Sequence, residues 1–183
     1  RIVLACTMRN EGPYVLEWVA YHRSIGFTDL VVCTNDCVDG SPDLLDALQD
    51  AGMLTHVRTV VGPGDKPQLA AYRQAEDLPP VRGADWAMVL DADEFLNIHV
   101  GDGRVTDLLD AVPDATAFLV NWRVFGSSGH RDWSPEPVCE RFTRAAALAE
   151  RYWFRVPPLP SAQRLARFTP AGGAPFFLMS GES

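Results

Sequence analysis

The residues best placed to do chemistry lie in the run WAMVLDADEF, residues 86–95, where an apolar, strand-like stretch ends in Asp91, Asp93 and Glu94. Carboxylates this close repel one another unless something positive sits between them. Their oxygens are hard ligands that suit Mg²⁺ or Mn²⁺, ions that keep some waters and also bind substrate phosphates. With two Asp at i and i+2, where a strand gives way to a loop, one carboxylate can reach the metal. The other can reach a ribose or a metal-bound water. Such an ion would act as a Lewis acid on a diphosphate leaving group. The plainer alternative is an acidic turn that caps a helix or faces solvent. The apolar strand before it, and the polar ends of the neighbouring strands, argue against that alternative.

Those neighbours follow from a pass along the chain. RIVLAC reads as a buried strand. TMRNEGP is a loop, and Pro13 suits the first turn of a helix running to about Ile25, stopped by Gly26. Leu16, Val19 and Ala20 give that helix its apolar face. DLVVCTN is a second strand and DCVDG a loop in which Asp39 reads as a turn residue. Ser41 reads as an N-cap with Pro42 first in a helix that turns Leu44, Leu45 and Leu48 inward, as far as Gly52. LTHVRTVV is a third strand, residues 66–78 a third helix, WAMVL a fourth strand and TAFLVNWRVF a fifth. This βαβ alternation predicts an α/β layered, Rossmann-like domain with a mostly parallel central sheet. Ligands in such sheets bind beyond the carboxyl ends of the strands. The ends here are Thr7 to Asn10, Asn35–Asp36, and Asp91 to Asp93, all polar and expected to converge on one edge. Beyond residue 145 the period is lost, and a loosely organised tail is expected over 146–183.

The 183 residues suffice for one domain with a real core, and 47% hydrophobic with 22% charged residues is ordinary for a globular chain. A formal net charge of −8 speaks against a general nucleic-acid binder. It leaves room for an anionic small ligand, since a few Arg or a metal reverse the sign locally. Cys6, Cys33, Cys37 and Cys139 form no CxxC and read as reduced thiols, which suits a reducing, cytoplasmic setting. No run is long enough to span a membrane, and no signal peptide is visible. A start at Arg1, directly in a strand, reads as a piece of a longer polypeptide, with peripheral membrane attachment left to regions absent here.

RNEGPYVLEWVAYHRSIGFTDLVVCTND, ADWAMVLDADEF, NWRVFGSSGH and CERFT occur in this order. Together they resemble the glycosyltransferase family 2-type domains of GT-A fold, in particular the subgroup with RNE…EW…YH and DADEF motifs. The resemblance covers roughly residues 1–145. It implies transfer of a sugar from a nucleotide-sugar donor, UDP- or GDP-linked, to a hydroxyl of a glycan or other acceptor, with inversion and with Mn²⁺ or Mg²⁺. By this resemblance Asp91 and Asp93 form the donor and metal motif, with Asp93 favoured as direct ligand. Glu94 orients the acceptor or braces its own loop. Arg9 reaches a phosphate, or pairs with Glu11 or Glu17. Thr7 and Asn10 contact the nucleotide, and Asn35 and Asp36 its base or ribose, unless they serve only the turn. Gln68 and Tyr72, one helical turn apart, line the donor pocket. Trp122 and Phe125 are candidates for stacking on the acceptor sugar, beside a Gly126–Gly129 loop able to close.

Glu17, Trp18, Tyr21 and His22 sit on the first helix, where Trp18, Tyr21 and His22 read more readily as core. An inverting transferase needs a general base near the acceptor hydroxyl. Glu140 is the choice, with Asp132 second and Glu136 behind them. His130 reads as a loop histidine.

The competing reading is a non-catalytic nucleotide- or glycan-binding domain of the same fold. A haloacid-dehalogenase-type phosphatase is disfavoured, because Phe95 stands where Thr or Val is expected and the motif lies mid-chain. A nucleotidyltransferase is disfavoured because TMRNEGP holds a single Gly and no Lys.

Overall fold

The computed structural model describes residues 1–115, 117–120, 123–146 and 176–178. Strand β1 (Ile2–Met8) runs two residues further than the apolar stretch alone suggests, so Thr7 lies inside the strand. Helix α1 (Gly12–Ser24) has Pro13 in its first turn, where a missing N–H removes no helical hydrogen bond. Its buried face is Val15, Trp18, Val19 and His22. This corrects the expected face: Leu16 is 56% exposed, and Ala20 is exposed as well. The 3.6-residue period is kept, but its phase is set by the two large rings.

Strand β2 (Asp29–Thr34) is followed by α2 (Ser41–Asp50). Gly40, with φ 80°, precedes that helix, and Ser41 is already its first residue instead of its cap. Leu45 is buried, with Leu44 and Leu48 packed at the core margin as the spacing predicts. Strand β3 (Thr55–Arg58) is shorter than the apolar run 54–61 and forms one edge of the sheet. Then come α3 (Pro67–Glu76), the short α4 (Pro79–Arg82) and β4 (Trp86–Val89).

Helix α5 (Val105–Ala111) has no counterpart in the sequence reading. The Asp107 carboxylate accepts hydrogen bonds from the N–H groups of Asp102 and Arg104, closing its first turn. Gly101 permits this closure: its φ is +55°, and a Cβ there would lie within 2.8 Å of the Asp107 side chain. Strand β5 (Ala117–Leu119) covers part of the predicted fifth strand, and the short α6 (Val138–Arg141) follows. Strand β6 (Phe176–Leu178) falls in the segment read as a loose tail. The rest of 147–183 lies outside the described residues.

The sheet order is β3-β2-β1-β4-β6-β5, and every recorded strand pair is parallel. One apolar cluster brings α1, α2 and α5 against the sheet through Trp18, Val19, Leu45 and Val105. The other brings α3 and α4 to the opposite face through Ala71, Ala75 and Val81. The result is a three-layer α/β/α arrangement, compatible with the Rossmann-like class expected. Register fixes where the strands release the chain. Met8 is paired with Thr34 and Ala5 with Val89, and Leu90 donates its N–H to Ala5 O at 3.1 Å. Arg9, Asn35 and Asp91 therefore leave the sheet on the same edge.

Candidate functional site

The acidic turn after β4 is held mainly by its backbone. Asp91 N–H donates to Glu94 Oε2 at 2.9 Å, and Glu94 N–H returns a bond to Asp91 O at 3.1 Å. The fully buried Trp18 of α1 donates its indole N–H to both Asp91 O and Glu94 O, at 3.2 Å each. Tyr21, one turn along, donates its hydroxyl to Leu96 O at 3.0 Å. The carboxylates of Asp91 and Asp93 are left on the exposed side of this clamp. Gln68 Nε2 donates to Asp91 Oδ1 at 3.4 Å and approaches Tyr72 Oη at 3.3 Å, and Tyr72 is also hydrogen-bonded to Thr7. A polar chain thus runs from β1 through α3 to the acidic turn. Burial pushes the Tyr72 hydroxyl well above its ordinary pKa, so it remains protonated.

The facing loops carry their own bracing. Asn10, with φ 61°, accepts Val38 N–H on its side-chain oxygen at 2.7 Å. Asp39 accepts Gly12 N–H at 3.0 Å and both the N–H and hydroxyl of Ser41, joining the starts of α1 and α2. The turn role expected for Asp39 agrees with these bonds. Asn35 Nδ2 donates to Asp36 Oδ2 at 3.0 Å, and Asp36 sits at φ 49°. Arg9 is exposed and makes no ion pair among the described residues, so neither Glu11 nor Glu17 neutralises it.

The electrostatics of this edge are lopsided. Burial, then the charge of Asp93, raises the Asp91 carboxyl above the usual range. Glu11, a residue the sequence reading did not place in the site, is also raised. The causes are burial first, then Asp93 and Asp39. Glu11 therefore shares the field of Asp93, and only its position beside Arg9 and Asn10 in the sequence could have signalled it. A cation would relieve this field. Among the described residues no group of three or more His, Cys, Asp and Glu closes on a single point.

The residues expected on the acceptor side are more open. Asp132 and Glu140 are both exposed. Phe125 is 50% exposed and bridges Ala145 in antiparallel fashion. Trp122 lies outside the described residues. The Gly126–Gly129 loop is braced: Ser128 Oγ accepts the N–H groups of Thr143 and Arg144, each at 3.0 Å. Glu17 takes a role not anticipated, its carboxylate accepting Val138 N–H at 2.6 Å and Cys139 N–H at 3.0 Å, which pins α6 to α1. His22 is fully buried, with Nδ1 2.9 Å from Trp18 O and Nε2 without a partner. Since a carbonyl only accepts, Nδ1 carries the proton. Burial lowers its pKa to about 4, so it is a neutral core ring. The four cysteines are free, with Cys6 and Cys33 buried. No helix among the described residues is long and apolar enough to cross a membrane.

Two curated proteins are similar to this sequence. One is a glycosyltransferase family 92 protein of Ricinus communis, 30% identical over 162 residues, spanning 84% of this chain and 28% of that protein. The other is a glycosyltransferase family 92 protein of Oryza sativa subsp. japonica, 27% identical over 151 residues, spanning 80% of this chain and 25% of that protein. The chain therefore spans about a quarter of the length of the relatives it matches. No family model matches it, and no solved structure does. Both relatives are named glycosyltransferases. They carry the number 92, where the motifs resemble family 2-type domains.

Proposed function

We propose that this chain is the donor-binding domain of a metal-dependent glycosyltransferase with a GT-A fold and a family 2-type arrangement of motifs. It moves a sugar from a UDP- or GDP-sugar to an acceptor hydroxyl, with inversion. The observation that carries the reading is the pair Asp91 and Asp93, exposed just beyond β4, where burial and the charge of Asp93 raise the Asp91 carboxyl. The polar ends of β1 and β2 beside them and the similarity to two glycosyltransferases support it.

Asp93 and Asp91 would hold Mn²⁺ or Mg²⁺, which when bound neutralises charge on the departing diphosphate. Gln68 orients the Asp91 carboxylate through its 3.4 Å hydrogen bond. Arg9, with no ion-pair partner among the described residues, offers two donors to a phosphate. Thr7, Asn10, Asn35 and Asp36 border the nucleoside. Inversion requires the acceptor oxygen to bond to the anomeric carbon on the face opposite the leaving diphosphate, as a base removes its proton. Glu140, with Asp132 as second choice, is the proposed base, and Phe125 a surface for the acceptor sugar.

The test is turnover. The chain is incubated with Mn²⁺, a panel of UDP- and GDP-sugars and a panel of glycan acceptors, and released nucleotide is measured. The proposal expects acceptor-stimulated release with one donor. It also expects loss of at least about 100-fold in Asp93→Ala and in Glu140→Gln. Metal-dependent nucleotide binding without release under any acceptor would favour a binding domain instead.

A further inference from the structure

Residues 123–146 fold largely on themselves. Phe125 bridges Ala145 in antiparallel fashion, Gly126 N–H donates to Arg144 O at 3.0 Å, and Ala146 N–H donates to Val124 O at 2.9 Å. Ser128 Oγ accepts the N–H groups of Thr143 and Arg144, and Ser134 O accepts from Arg141. The segment buries little: Val124, Phe125 and Trp133 stand exposed, and Arg141 is the buried residue of the four in α6. Apolar packing therefore does little to locate α6 against the body of the fold. The carboxylate of Glu17, on α1, does it instead. Its Oε2 accepts Val138 N–H at 2.6 Å and its Oε1 accepts Cys139 N–H at 3.0 Å. Each oxygen holds a different residue, so the pair fixes direction as well as distance. The Cys139 thiol adds a third bond to the same carboxylate. Burial, then the Glu17 charge, raises that thiol to about 11, so it keeps its proton and donates. The N–H groups at the start of a short exposed helix could bond water as well. What a fixed carboxylate adds is placement.

The next residue on each side shows what is placed. Glu140 follows Cys139, is exposed, and is the proposed base. Trp18 follows Glu17, is fully buried, and clamps the acidic turn through Asp91 O and Glu94 O. Consecutive residues of one helix thus hold the segment bearing the base and the turn bearing the donor carboxylates. We propose that Glu17 is a positioning residue, which sets Glu140 at a fixed place relative to the turn that Trp18 holds. The proposal deepens the transferase reading and rests on it for the role of Glu140.

The experiment is a double-mutant cycle on acceptor-stimulated nucleotide release. Wild type, Glu17→Gln, Glu140→Gln and the double variant are compared, with donor KM, a thermal melt and amide hydrogen exchange for each. Misplacing a reacting group by about 1 Å can cost about 100-fold. Glu17→Gln is expected to lower kcat at least about tenfold, to leave donor KM within about twofold, and to speed exchange at Val138 and Cys139. In the Glu140→Gln background the same change should alter kcat by less than about twofold, because the group it positions is already gone. Glu17→Asp, which keeps the charge and shortens the reach, should recover part of the loss. It replaces Glu17→Gln in the cycle if that variant does not fold. Losses that multiply in the double variant overturn the proposal, since Glu17 would then act independently of Glu140. An unchanged kcat in Glu17→Gln overturns it too, as does a donor KM that rises in step with the fall in kcat. Wild type without acceptor-stimulated release contradicts the transferase reading and this role together. An active wild type beside an unaltered Glu17→Gln contradicts the role alone.

Discussion

At the residue scale, Asp91 combines exposure to ligand with a carboxyl raised by burial and by Asp93. Ligation demands its charged form, so metal affinity should fall as pH drops through that raised value, sooner than for an ordinary aspartate. Titrating Mn²⁺ and nucleotide at pH 7 and pH 5 checks this. Gln68→Ala should make binding weaker by about threefold to tenfold, the worth of one ordinary hydrogen bond, since this one is long at 3.4 Å and exposed. His22 is shifted the other way, downward, and acts as a stability group. Its folded pKa, about 4, lies below the ordinary 6.5, so between those values the unfolded chain binds the extra proton. Stability due to neutral His22 is full above pH 6.5 and is lost as pH falls towards 4, by about 3 kcal/mol. His22→Phe, which keeps an aromatic ring against Trp18 and Phe95, should melt with a flatter dependence between pH 7 and pH 4.5 than wild type.

At the scale of elements, α1 is the brace of the site. Glu17 reaches α6 across 121 residues of sequence, and Trp18 reaches the acidic turn across 73 and 76. Glu17→Gln keeps one acceptor oxygen and loses the charge-assisted pair. It should cost about 1–2 kcal/mol and speed amide hydrogen exchange at Val138 and Cys139, leaving β1 and β2 protected. Trp18→Phe keeps most apolar burial but removes the indole N–H that Asp91 O and Glu94 O accept. It should cost about 1–3 kcal/mol and weaken nucleotide binding, although Trp18 bonds only backbone atoms of the turn. These roles were not legible from local sequence, because the partners lie so far along the chain. The rings of α1 did read as core. The phase of its buried face did not, since Leu16 is as apolar as Val15 and only packing chooses between them. Helix α5 escaped notice because its cap is a contact of Asp107 with its own preceding loop, which no apolar period announces.

For the whole molecule, the parallel direction of the strands followed from pattern where strands are buried on both faces, since these read as unbroken apolar runs, whereas the order β3-β2-β1-β4-β6-β5 did not. The polar strand ends predict Arg9, Asn35 and Asp91 on one edge, and the register of β1 with β2 and β4 agrees. A family number, a sugar and an acceptor depend on pocket details that neither pattern nor fold supplies. The central claim is that this edge holds a nucleotide diphosphate through a divalent cation on Asp91 and Asp93. Calorimetric titration of UDP and of GDP, each with Mn²⁺ and with EDTA, on wild type and Asp93→Ala tests it most directly. The account predicts binding of one nucleotide that requires Mn²⁺ and is lost in the variant. Binding that survives both EDTA and Asp93→Ala, or no binding of either nucleotide, would contradict it.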